Sequence, residues 1–156
     1  MAVASRWRWC RRPRKTGPTR LWLANANTYA GQTIVNEGDL IAETSTALGV
    51  EDGTAANGTI VNSVPGGPAG TLAFGGGFTL GNESVTLNGP GHAGEGALFC
   101  GNSGAAPAAS FAGPITLATA DTAIVAIGSC TLSGPLSGPG GFTLTMTPFY
   151  NLAAWC

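Results

Sequence analysis

Few side chains in this sequence are of a type that does chemistry, and those few are scattered. Glu51 and Asp52 are adjacent acids in the turn-like segment GVEDGTAANG. Paired carboxylates of this kind serve glycoside hydrolases, and clustered acids hold Ca²⁺ in β-helical lyases. A lyase also needs an Arg or Lys base, and residues 21–156 contain neither. The expected place for Glu51 and Asp52 is therefore a solvated corner. His92 is the single histidine, with Glu95 three residues on in GPGHAGEG. Zinc takes three or four ligands, so these two are expected as loop residues. Ser103 sits in GNSGA, which lacks the G-x-S-x-G nucleophile elbow. The GPGG run has no following Lys or helix to make a phosphate loop.

Cys10, Cys100, Cys130 and Cys156 show no C-x-x-C spacing. Cys100 and Cys130 border strand-like segments and are expected as small buried hydrophobes. A disulfide between them would need a long loop at GNSGAAPAAS, and that alternative stays open. Asn57-Gly-Thr59 and Asn82-Glu-Ser84 are glycosylation sequons of a kind that arises by chance in such a composition. No catalytic, cofactor-binding or metal-binding residue is assigned, no cofactor is expected, and the chain reads as a non-enzyme.

Charge is divided along the chain more sharply than its net value of −1 suggests. All seven cations, Arg6, Arg8, Arg11, Arg12, Arg14, Lys15 and Arg20, lie in the first twenty positions, whereas all eight acids follow. A body without cations cannot neutralise phosphates, which argues against nucleic-acid binding there. Residues 1–18 interleave Arg with Trp and then reach Pro13, Lys15 and Pro18 without any apolar signal-peptide core. They are expected to form a basic, disordered arm. No run of eighteen apolar residues occurs, so no transmembrane helix is expected.

The elements that could position any site are short. Candidate strands fall at 19–24, 32–36, 39–43, 58–63, 70–74, 77–81, 84–88, 96–100, 109–112, 114–118, 122–127, 130–133 and 141–146. Each is β-branched or aromatic and bounded by Gly, Pro, Asn or Asp. Helix-period stretches are missing. Such density of strands means a sandwich, barrel or solenoid.

Self-similarity favours the solenoid over the β-sandwich alternative. An apolar, small or polar, Gly, Pro pattern recurs at Gly89, Gly113 and Gly134, with spacings of 24 and 21. That period, in the low twenties, suits one coil of a parallel β-helix. On this reading the three glycines occupy one column. The turn at Asn36–Asp39 is then a corner between coils, not a hairpin loop.

The stretch LWLANANTYAGQTIVNEGDLIAETSTALG, residues 21–49, resembles the autotransporter-associated β-strand repeat. Asn27-Thr28-Tyr29, Gly31, Thr33, Val35, Gly38 and Leu40 match its pattern, and Ala47-Leu48-Gly49 matches its tail. Later segments resemble the coils between repeats, so the likeness spans roughly residues 19–145. It implies an all-β, right-handed parallel β-helix of about five to six coils at 19–146, with an irregular tail at 147–156. It further implies a structural segment of a bacterial surface or secreted passenger, with adhesion and cell-surface or glycan ligands belonging to the parent protein. The outer-membrane β-barrel of such parents is absent here. Both ends depart from the pattern, TPFYNLAAWC at the close, and suggest a gene fragment. A polysaccharide-active β-helix enzyme and a non-functional fragment are the alternatives.

Overall fold

A computed structural model describes residues 12–101 and 108–138, together with the backbone of a final strand at Thr145–Pro148. Among the described residues fifteen short strands form three sheets, and every ladder between these strands is parallel. Sheet 1 contains β1 (Arg14–Lys15), β3 (Thr33–Val35), β5 (Thr59–Val61), β8 (Val85–Leu87), β11 (Ile115–Leu117) and β14 (Leu136–Ser137), in that spatial order. Sheet 2 contains β2 (Leu21–Leu23), β4 (Gly38–Ala42), β6 (Gly70–Phe74), β9 (Leu98–Gly101), β12 (Ala123–Ile127) and β15 (Thr145–Pro148), again in order. Sheet 3 contains β7 (Thr79–Leu80), β10 (Ala109–Phe111) and β13 (Cys130–Leu132). The chain thus passes from sheet 1 to sheet 2 six times. Sheet 3 joins from the third pass onward, while 24–32 and 43–58 hold its place as loops in the first two.

The expected all-β class is present, and parallel ladders replace the antiparallel hairpins that a β-sandwich would use. Alternate residues of each strand face inward and stack in columns. In sheet 1, Val35, Val61, Leu87 and Leu117 pair in register and are fully buried. In sheet 2, Leu40, Leu72, Leu98 and Ile124 do the same. From sheet 3, Phe111 meets Phe74 with ring centroids 5.8 Å apart. Each buried Leu, Val or Phe contributes about 1.5–3 kcal/mol relative to exposure.

Asn36 ends β3 and begins the corner before β4, so strands β3 and β4 lie in different sheets, as expected of a corner. Gly38 takes φ +68° there, and a Cβ would meet the Gly17 and Thr19 carbonyl oxygens at 2.5 Å. The corner is laddered by asparagines. Asn62 Nδ2 donates to Asn36 Oδ1 at 2.9 Å, and Asn88 Nδ2 donates to Asn62 Oδ1 at 3.1 Å.

Three expectations change. Gly113 lies against Glu83 and Gly134 against Gly113, so these two stack, but Gly89 lies against Ser63 at a different corner. The Gly-Pro motif marks the exit from β8 in one case and the entry to β11 and β14 in the others. Its 24-residue spacing is therefore not one circuit. Real steps vary: Thr33 pairs with Thr59 and Thr59 with Val85, 26 residues each, whereas Val85 pairs with Ile115, 30 residues on.

The second change concerns Cys100 and Cys130, which are joined as a disulfide with Cα atoms 6.0 Å apart, tying β9 to β13. Sheets 2 and 3 meet at this disulfide and at the Phe74–Phe111 contact, which brings together two cysteines thirty residues apart. Thirdly, Arg14–Lys15, placed in the arm by composition, form the first strand of sheet 1. Lys15 is buried because its Nζ donates to the carbonyls of Gly17 and Glu37. Residues 1–11, Cys10, Ser103 and 149–156 lie outside the described residues. Among the described residues no helix is long and apolar enough to cross a membrane.

Candidate functional site

Two polar centres stand out from the apolar columns, one on the outer face of sheet 2 and one inside the early circuits. The outer centre is built on Asp39. Leu40 points into the core, so its neighbour Asp39 points outward, yet only 2% of Asp39 is exposed. Arg20, just before β2, covers it with Nε 2.9 Å from Asp39 Oδ2. His92 covers the other oxygen, with Nδ1 2.8 Å from Asp39 Oδ1. Arg20 Nη2 also reaches Glu95 Oε1 at 3.0 Å. The hydrogen bond to Asp39 and the charge of Glu95 push the Arg20 pKa above its usual value.

A tight turn delivers His92 and Glu95 to this place. The one-turn 3₁₀ segment His92–Gly94 opens at Gly91, where a Cβ would strike the Gly96 backbone. Ala93 adopts φ 50°, uncommon outside glycine. Thr71, paired with Asp39 in the ladder, accepts from the His92 N–H at 3.0 Å and donates to Gly96 O at 2.7 Å. Beside this centre runs a groove of about 600 Å³, floored by Ile41, Ala73, Phe99 and Ile127 and ended by Arg20 and Glu95. Chemically it offers an apolar floor and a cation held by two carboxylates, while the His92 imidazole bonds Asp39 outside the groove lining.

The inner centre lies where sheet 1 turns polar. Thr33 and Thr59 occupy one inward column and are almost fully buried. Tyr29 Oη and Thr33 Oγ1 are 2.7 Å apart, and Thr59 Oγ1 donates to Glu83 Oε1 at 2.6 Å. Glu83 has no exposure, and its Oε2 has no hydrogen-bond partner; neither does Glu51 Oε1. Burial, aided by the charges of Glu51 and Asp52, raises the Glu83 pKa from 4.5 to about 8. Burial also raises Glu51, against the pull of the Gly81 N–H, and raises Tyr29. Asp52 is lowered by Thr54, whose hydroxyl donates to it at 2.6 Å.

The sequence candidates are thus redistributed. Glu51 and Asp52 do not converge: Glu51 goes to Gly81, while exposed Asp52 binds Thr54 and Asn57. Asn57 is committed twice over, accepting from Gly31 N–H at 2.8 Å and donating to Asp52 at 2.7 Å. His92 and Glu95 meet the same centre, linked through Arg20 and Asp39.

Asp39, Arg20, Tyr29 and Glu83 were not among the residues weighed for chemistry in the sequence. Arg20 and Glu95 are 75 residues apart, a separation that no local motif reports. A usable signal did exist for the inner column: Thr-Ile-Val-Asn occurs at 33–36 and again at 59–62, the true repeat of 26. Among the described residues no three His, Cys, Asp or Glu side chains converge as metal ligands. Compared with protein-family models, curated proteins and solved structures, the chain matches none.

Proposed function

We propose that this chain is a structural segment of right-handed parallel β-helix, of five to six coils, from a bacterial autotransporter-like passenger displayed at the surface or secreted. It serves as a rigid stalk or display surface, with adhesion a property of the parent protein and no catalysis of its own. The observation that carries this reading is the six successive passes in parallel register, stacked on continuous inward columns. Backbone groups inside such a stack are paired one strand away, which gives stiffness without a large globular core. The Cys100–Cys130 disulfide supports an oxidising compartment outside the cytoplasm.

Fractionation of cells that make the chain natively, with thiols blocked at lysis, tests the reading. A Cys100–Cys130-linked peptide in the surface or extracellular fraction is expected. Recovery only from cytoplasm, with both thiols free, overturns it.

A polysaccharide-active enzyme is the second reading, favoured by one observation: Arg20 lines a groove together with Asp39 and Glu95. Incubation with anionic polysaccharides separates the two readings. No new chain ends are expected; cleavage lost on Arg20→Ala and on Asp39→Asn would establish the enzyme instead.

A further inference from the structure

We propose that Glu83 is a proton-operated latch for the loop 49–57: neutral, it stays in the interior and keeps the loop closed; ionised, it draws in water and releases the loop. The geometry sets this up. Glu83 is without exposure, accepts from the Thr59 hydroxyl with a weaker pull from the Thr59 N–H, and presents Oε2 to no partner. A buried carboxylate with so little compensation cannot keep its charge without hydration.

The titratable groups facing it are all acids or a phenol. Tyr29 comes from the loop before β3, and Glu51 and Asp52 come from the loop before β5. Sheet 1 contributes Thr59, and Gly113 packs against the Glu83 backbone. Among the described residues no cation pairs with Glu83. The loop in turn rests on the Glu83 segment: Glu51 on the Gly81 N–H, and Gly53 against Asn82. Hydrating Glu83 therefore pushes against the contacts that hold 49–57.

The sign follows from proton binding. Glu83 is raised from 4.5 to about 8, so the closed state keeps a proton that the opened, hydrated state gives up. Closure is fully favoured below about 4.5, weakens as pH rises to about 8, and is level above that. Between pH 6 and pH 9 the opening equilibrium shifts toward open by about a hundredfold.

Amide exchange of the full chain at pH 6 and pH 9, divided by the intrinsic exchange rate at each pH, tests the latch. Peptides over 49–57 are expected to lose protection by about a hundredfold, while those over β9 and β12 keep theirs. Glu83→Gln should abolish the pH response. Glu51→Gln removes a repelling charge that helps hold the closed-state Glu83 pKa up, so the loss of protection should level off at lower pH and be smaller in total, a separate check if Glu83→Gln fails to fold. The proposal is overturned by an unchanged loop, by an equal loss across the whole chain, or by a response that survives Glu83→Gln in a folded protein.

Discussion

The first two circuits and the later ones share sheets 1 and 2 but differ on the third side. Early on that side is loop, and the inward column of sheet 1 reads Thr33, Thr59, with Tyr29 and Glu83 attached. Later the side is the β7–β10–β13 ladder, and the same column continues as Val85, Ile115 and Leu136. The difference shows where polar groups survive inside a stack of parallel strands. Loops carry side chains that can turn inward and satisfy a hydroxyl, as Tyr29 does for Thr33. A strand ladder spends its backbone groups on its neighbours, so the column it faces has to be apolar.

Asp39 and Glu83 repeat this contrast between two buried acids. Asp39 meets Arg20 and His92 at both oxygens. Glu83 meets Thr59 through its hydroxyl and, more weakly, its N–H, and the titratable groups near it among the described residues are acids and a phenol. Burial is equal, yet one site is an ion pair and the other favours the proton. Neighbours, rather than depth, separate them.

Substitutions can break or sharpen the contrast. The largest effect is expected on the strand-built side, where Phe111→Ala should cost about 3–5 kcal/mol by denaturant unfolding. A loss below 1 kcal/mol would mean that the Phe74–Phe111 contact does not anchor sheet 3. Reduction of Cys100–Cys130, which closes a loop of 30 residues, should cost about 3–4 kcal/mol. It should loosen β13 before it affects β3 or β5. On sheet 2, Asp39→Ala removes two charge-assisted bonds and should cost about 1.5–3 kcal/mol. The loss should shrink when Arg20→Ala is already in place, since a double-mutant cycle isolates the pair. Smallest, Asn62→Ala breaks the corner ladder at its middle member and should cost about 0.5–1.5 kcal/mol.

Local features were legible in the sequence because they depend on neighbours in the chain. The segment 70–74 is a strand with the expected bounds, 122–127 encloses β12, and the corner at Asn36–Gly38 lies where Gly and Asn call for it. Strand β14 was hidden because Leu136–Ser137 is only two residues long between Gly-Pro pairs. Strand β1 was hidden by the basic composition around it. Register was misread at Gly89 because Gly-Pro suits any corner, whereas Thr-Ile-Val-Asn reports one particular column. The Asp39 centre was illegible for a different reason. It joins residues 20, 39, 92 and 95, which meet only after three passes of the chain, and the steps between passes range from 19 to 32 residues. No fixed period could have aligned them.

The most direct test of the parallel stack, and of its polar-to-apolar column, is a methyl-resolved nuclear Overhauser spectrum of the labelled full chain. Contacts should link Thr33 to Thr59, Thr59 to Val85, and Val85 to Ile115 in that order, as neighbours about 4.8 Å apart across parallel strands require. Contacts that instead join Thr33 directly to Val85, or Thr59 directly to Ile115, with the intervening pairs missing, would contradict it.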